Sequence, residues 1–252
     1  LIIVKAGGSA ITHKSELYSP NEGIIASVAE QLSQTTLADQ GVILVHGVGS
    51  FGHPLAKEHG LGHGYDGTEE GLMGAMFTHY WVDELSQIFI KAIIDHGVAA
   101  LRCRPTTSFV TKSRRIVDFY SEPIEKYLEM GIIPVFHGDV PADRDQGFSV
   151  LSSDQIAVFL ARHFGAKKVI FGMDVPGLLR KGEALPELGF GGIPDFMEFV
   201  SDNHDASGGL QKKLQEIQTL EGSGIEVQLI GLGEPGALLQ AIEGEAVGTL
   251  IR

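Results

Sequence analysis

A single cysteine, Cys103, stands in 252 residues, so the chain can form neither an internal disulfide nor a cysteine-based zinc site. Positive charge is scarce as well. Nineteen Lys and Arg face 32 Asp and Glu, a net charge of −13, which excludes the basic surface that non-specific nucleic-acid binding requires. No stretch approaches the roughly 20 apolar residues of a membrane span. The opening residues Leu1-Ile2-Ile3-Val4-Lys5 read as a strand rather than as a secretory signal. The dipeptide Gly-Lys does not occur, which excludes the G-x-x-x-x-G-K-[ST] phosphate loop, and there is no HRD or DFG set of a protein kinase. The expectation is a cytoplasmic protein whose partner is a small molecule, with no nucleic acid and no membrane.

What is present is an alternation of short apolar runs with longer amphipathic segments. Strands are predicted at Ile2–Lys5, Val42–His46, Ala99–Cys103, Ile132–Phe136, Lys168–Gly172, Val227–Ile230 and Gly248–Ile251, each bounded by Gly, Pro or polar residues. Helices are predicted at Asn21–Ala38, Glu69–His96, Pro123–Glu129, Asp154–His163, Gly209–Glu221 and Pro235–Ile242. This order predicts an α/β chain, a three-layer αβα sandwich around a mostly parallel sheet. No linker divides it, so 1–252 reads as one domain. Pro105–Asp118 and Val140–Val150 read as hairpin or lid structure, and the Gly- and Pro-rich stretch Gly182–Asp205 as irregular.

Four glycine-punctuated segments carry the chemistry. In Val4-Lys5-Ala6-Gly7-Gly8-Ser9 a strand runs into glycines, where backbone N–H groups can approach a phosphate beside the Lys5 charge; Lys14 follows. In His46-Gly47-Val48-Gly49-Ser50-Phe51-Gly52-His53 the glycines spell G-x-G-x-x-G, the dinucleotide fingerprint. That reading needs a second strand ending in an acid about 20 residues on. The region instead opens the long helical segment from Glu69, so the dehydrogenase reading loses its support and the phosphate-cradling physics stays. His53 is either a helix-start residue satisfying a carbonyl or a phosphate contact. His46, His53, His59 and His63 make a poor zinc set, lying on loops without Cys partners. Ser152 or Ser153 suits a helix N-cap, with Asp154 in the first turn. The run Asp205-Ala206-Ser207-Gly208-Gly209-Leu210-Gln211-Lys212-Lys213 repeats the anion cradle with lysines one turn in, and reads equally as a capped helix with solvent lysines. Gly172-Met173-Asp174-Val175-Pro176-Gly177 is a strand end and sharp loop at a place where parallel sheets bind ligands, or an ordinary turn.

Together these segments resemble the amino acid kinase superfamily over nearly the whole chain. K-x-G-G-S-x-x-T-x-K (Lys5 to Lys14) with G-S-F-G-H (Gly49 to His53) resembles its isopentenyl phosphate kinase branch, with the fosfomycin kinases as the related alternative. The resemblance implies an ATP- and Mg²⁺-dependent kinase acting on a small phosphate, and a homodimer. It implies that Gly7, Gly8 and Ser9 cradle ATP phosphates and that Lys5, Lys14 and Lys213 neutralise the transferring group, with Asp154 orienting the lysines. Gly172, Asp174, Gly177 and Gly208 would line the nucleotide side, and Gly47, Val48, Gly52, His53 and Ser153 the acceptor side. Val48 departs from the small residue many relatives carry. Residues 1–165 would form the acceptor lobe and 166–252 the nucleotide lobe. A prenyl tail needs an apolar wall, for which Phe77 and Tyr80 of the long helix, with Val140 and Val150, are the candidates. A non-catalytic nucleotide sensor is disfavoured because a binder has no need of three converging cations.

Overall fold

Strand β1 (Ile2–Ala6) is buried along its whole length, and its side chains alternate between two separate cores. Ile2, Val4 and Ala6 face one, Ile3 the other, as the period of two in a strand dictates. The computed structural model describes residues 1–35, 41–202 and 208–252. Among them, β2 (Val42–His46), β6 (Ile133–His137) and β9 (Lys168–Met173) are likewise buried throughout. Such runs, apolar on both faces, must be covered on both faces.

The remaining elements do so. The first cover is formed by α2 (Glu22–Ser33), α4 (Glu69–Asp95) and α9 (Ala237–Glu243), which bring Ile25, Leu32, Leu85, Phe89 and Leu238 against the sheet. The other is formed by α5 (Glu122–Glu129), α6 (Ser153–His163), α7 (Ile193–Asp202) and α8 (Gly208–Gln218), with Ile124, Ile156, Phe196 and Leu214. With β3 (Ala100–Arg102), β12 (Glu187–Leu188), β13 (Glu226–Gly231) and β14 (Thr249–Ile251), the sheet runs β12-β14-β13-β9-β1-β2-β6-β3. The pairs from β3 to β13 are parallel, and β14 turns back antiparallel on β13. The three-layer αβα expectation holds.

Two ten-residue helices lie where none was predicted. α3 (Gly49–Glu58) follows the glycine-rich turn directly and contains Pro54. Proline cannot donate to the carbonyl four residues back, and that carbonyl, of Ser50, accepts from Tyr18 N–H instead (3.4 Å). α7 falls within the stretch read as irregular. Its buried Ile193, Phe196 and Val200 recur at helical spacing, a signal masked by the surrounding Gly and Pro. The predicted helix Asn21–Ala38 is capped by Asn21, whose side chain accepts from Ile24 N–H, and runs to Ser33; positions 36–38 lie outside the described residues.

The lid expectation corresponds to a separate four-stranded sheet. Its strands are β4 (Phe109–Lys112), β5 (Arg115–Phe119), β7 (Ala142–Asp143) and β8 (Gly147–Phe148), in the order β5-β4-β7-β8. Asp143, buried at its centre, accepts from Thr111 Oγ1 and from the N–H groups of Ser113, Arg114, Asp145 and Gln146. Burial would raise its carboxyl pKa, but these five donors hold it well below the usual carboxylate range. Arg115 ties this sheet to α8 by two bonds to Glu216, at 2.6 and 3.1 Å.

Candidate active site

The carboxyl ends of β1, β2 and β9 meet at a contact made only of backbone. Gly7 N–H donates to Gly172 O (2.8 Å), extending β1 along β9. Beyond it, Gly8 and Gly47 interlock: a Cβ on Gly8 would lie 2.4 Å from Gly49 N, and one on Gly47 would lie 2.3 Å from Gly8 N. No residue but glycine fits at either position. α1 (Gly8–Ile11) starts here, and Thr12, just past its end, donates to Gly8 O and accepts from Ser50 N–H (3.0 Å), locking the two turns together.

Lys5, on β1, points from this contact toward α6. Its ammonium lies 3.0 Å from Asp154 Oδ1, and Lys213 Nζ reaches the same oxygen at 2.5 Å. Asp154 stands in the first turn of α6, whose N-cap is Ser152, accepting from Gln155 N–H; Ser153 is the first helical residue and is buried. The three side chains are 6, 10 and 16% exposed for Lys5, Lys213 and Asp154. Burial alone would raise the Asp154 pKa, yet the charges of Lys213 and Lys5 hold it well below the carboxylate range. Burial, joined by the Lys5 charge and opposed by Asp154, draws Lys213 down to about 8. Lys213 also sits 4.8 Å over the ring of Phe171. Lys212, its neighbour, is exposed, so Lys213 is the lysine aimed into the site. The trio carries one net positive charge at a sheet edge, in a chain that is acidic overall.

Lys14 does not join that trio. It is 70% exposed and pairs with Asp174 Oδ2 at 2.6 Å, while Ser9 Oγ donates to Asp174 Oδ1 (3.0 Å). Burial works against the Asp174 charge, but the Lys14 and Ser9 bonds prevail and lower its pKa. The sequence assigned the orienting of all the lysines to Asp154; for Lys14 the partner is Asp174, just past the end of β9. Further along this edge a cleft of about 400 Å³ is lined by Pro176, Gly231, Glu234, Ala237 and Gly248, with Gly177 packed beside it against Thr249. Gly208 opens α8, and Asp205, Ala206 and Ser207 of the same motif lie outside the described residues.

On the other side of the glycine contact stands α3. Val48 is its N-cap residue without any side-chain cap, and Gly52 lets the helix lie against Val82 of α4. His53, in the second turn, is exposed. Desolvation on its inner side and then the Lys5 charge lower its pKa, so the ring is neutral at pH 7.

A profile of the amino acid kinase family matches residues 1–231. The chain belongs to the amino acid kinase family. It is 32% identical to the isopentenyl phosphate kinase of Methanothermobacter thermautotrophicus, with 100% of this chain and 98% of that one covered. It is 31% identical to the isopentenyl phosphate kinase of Haloferax volcanii, over the same shares. A crystal structure of an isopentenyl phosphate kinase superposes with a TM-score of 0.85 at 28% identity, covering 100% of this chain and 99% of that one.

In this amino acid kinase a third, small apolar cluster lies beyond His53. Leu61, Ala75, Val140 and Phe148 form it, with Ala56 and Val150 against them. Ala56 is one turn past His53 on α3, and Val140 and Phe148 come from the lid side. Val140 takes part in this cluster and Val150 packs against it. Phe77 and Tyr80 do not: α4 turns them outward, 48 and 55% exposed, because its inward face carries Gly71, Gly74, Ala75, Thr78 and Val82. The helix was read correctly as an element, and its inner face is built of small residues. Sequence reading also passed over His79 and Asp139, joined at 3.0 Å behind the Gly138 turn, and Asp83, which collects Arg102, Arg104 and His137.

On the role the resemblance implies for Lys14, charge on the transferring group, Lys14→Ala is expected to lower kcat about ten- to a hundredfold. Its exposed ion pair contributes little to folding, so thermal melting should stay in place. Turnover equal to the unmodified chain would exclude Lys14 from the reaction.

Proposed function

We propose that the chain transfers the γ-phosphoryl group of ATP to the phosphate of isopentenyl phosphate, giving isopentenyl diphosphate and ADP. The observation that carries this reading is the placing of the Lys5–Asp154–Lys213 trio on one side of the glycine contact. On the other side are His53 and, one helical turn further, a small apolar cluster. An acceptor phosphate oxygen is already anionic near neutral pH. It attacks the γ-phosphorus as the bond to the bridging β-oxygen breaks, and no general base is needed. Catalysis then consists of positioning and charge neutralisation. Lys5 and Lys213 stabilise the charge on the moving group, and Gly7, Gly8 and Ser9 lie where the donor phosphates would sit. Gly172, Asp174, Gly177 and the 400 Å³ cleft serve the nucleotide. Gly47, Val48, Gly52 and His53 hold the acceptor phosphate, with Ser153 behind it.

No group of three His, Cys, Asp or Glu able to hold a metal occurs among the described residues. Mg²⁺ would accompany ATP and supply positive charge to its phosphates. A homodimer in the cytoplasm completes the reading. The outer face of α4, with exposed Met73, Met76, Phe77 and Tyr80, is available for the pairing, and no helix among the described residues is long and apolar enough to cross a membrane.

A coupled ADP-release assay across isopentenyl phosphate, dimethylallyl phosphate, fosfomycin, acetylglutamate and UMP tests the assignment. A clear preference for fosfomycin, or for an acceptor without a phosphate or phosphonate, would replace it. Tail selection is tested separately. Phe148→Ala is expected to raise the ratio of geranyl to isopentenyl phosphate turnover, while Tyr80→Ala, on the outer face, leaves that ratio unchanged. The reverse pattern would move the tail site to the outer side of α4.

A further inference from the structure

We infer that His46 is the positioning residue of the acceptor turn: its imidazole fixes the Gly47–Val48 peptide so that the Val48 N–H is presented to the acceptor phosphate. The inference rests on the phosphate-acceptor reading above. His46 ends β2 with no exposed surface, against Phe89 and His137, at ring-centroid distances of 5.7 and 5.5 Å. Its Nδ1 lies 3.0 Å from Gly47 O. A carbonyl only accepts, so the ring proton is on Nδ1. Nε2 has no hydrogen-bond partner among the described residues. Burial, reinforced by His137, lowers the pKa to about 3, so the ring stays neutral and keeps this one tautomer.

The geometry of a trans peptide does the rest. Its C=O and the following N–H point in opposite directions. With Gly47 O held inward by His46, the Val48 N–H points outward, and it meets no protein acceptor among the described residues. Gly47 must be glycine for its contact with Gly8, and glycine leaves the next peptide free to flip. Its own N–H is tied to Ala6 O at 2.8 Å, and the His46 bond removes the remaining freedom on the carbonyl side.

The neighbouring strand supplies a control within the same molecule. His137 of β6 is in register with His46 and makes the same bond, Nδ1 to Gly138 O at 3.0 Å. There the following N–H, of Asp139, is used by Leu151 O at 3.1 Å. Of the two aligned N–H groups, only that of Val48 is left for a ligand.

Three variants separate positioning from packing. In His46→Asn the amide nitrogen takes about the place of Nδ1; in His46→Gln it reaches the place of Nε2 instead; His46→Leu has no donor. Calorimetric Kd and KM for isopentenyl phosphate should rise roughly tenfold in the Leu and Gln variants, the size of one net hydrogen bond to a charged group. The Asn variant should remain within about threefold of the unmodified chain, with KM for ATP within about twofold in all three. If His46→Leu does not fold, the Asn and Gln pair decides. Equal losses in Asn and Gln, or an ATP KM rising in step with the acceptor KM, would overturn the role of His46 and leave the proposed activity standing. An unmodified chain that does not turn over isopentenyl phosphate would overturn the activity and this inference together.

Discussion

Asp154→Asn is expected to cost both stability and turnover, more than any other single change at the site. The carboxylate is the shared counter-ion of two buried ammonium groups, at 3.0 and 2.5 Å. Removing one partner of a buried ion pair typically costs about 3–5 kcal/mol, because the remaining charge is left uncompensated. Here Lys213, already drawn down to about 8, would fall further and lose its proton near neutrality. The neutral amine cannot stabilise the transferring group, so kcat should drop about a hundred- to a thousandfold. The pH dependence follows from the same two groups. A carboxyl held below its ordinary value of 3.8 contributes stability that is fully present above that value and is lost as pH falls below it. Lys213 adds a second rise with pH: between about 8 and its ordinary 10.5 the unfolded chain holds a proton that the folded one has released, so its burden on stability is relieved as pH rises through that window. For the free enzyme, kcat/KM for ATP should therefore decline above pH about 8. In Asp154→Asn that decline should begin at lower pH. Urea melts and a pH series of ADP release check both; an unshifted midpoint with normal turnover would remove Asp154 from the site.

His53→Ala is expected to lower kcat/KM for isopentenyl phosphate by more than about tenfold, since a hydrogen bond to a charged group is worth roughly 1.5–3 kcal/mol. The ring is neutral at pH 7 and can give one N–H to the acceptor phosphate. It stands on the acceptor side of the glycine contact, so KM for ATP should hardly change. His53→Gln and His53→Asn keep an N–H and should retain more activity than Ala. Because the side chain is exposed, the melting temperature should be unaffected. Wild-type kcat/KM in the alanine variant would take away the residue that gives this site its phosphate acceptor.

The parallel core was legible because its signal is local. Runs such as Val42–His46 are apolar on every residue, and helices such as Glu69–Asp95 are long and periodic. The lysines were legible as types but not as partners. That Lys5 and Lys213 share Asp154 while Lys14 turns to Asp174 depends on how elements 59 to 160 residues apart in the chain converge. α3 was hidden by Gly52 and Pro54, two residues that disfavour helix and are tolerated here because Gly52 packs on Val82 and the Ser50 carbonyl finds Tyr18. Phe77 and Tyr80 were singled out by their size as an apolar wall; they stand exposed, and the inner face of α4 carries small residues that let α3 approach. His46 looked like a loose member of a histidine set. Its role became visible only once the bond to Gly47 O and the empty Val48 N–H could be seen together.

The interlocking of Gly8 with Gly47 has a consequence for how such an enzyme can change. In the proposed reading, the span between the donor phosphate and the acceptor phosphate is set where the chain has no side chains at all, by two backbones in contact. No substitution elsewhere can lengthen or shorten that span by exchanging one side chain for another. The tail cluster, by contrast, is built entirely of side chains, from Ala56, Ala75, Val140, Phe148 and Val150. Preference for one acceptor over another can therefore drift by ordinary substitution while the reaction distance is inherited unchanged.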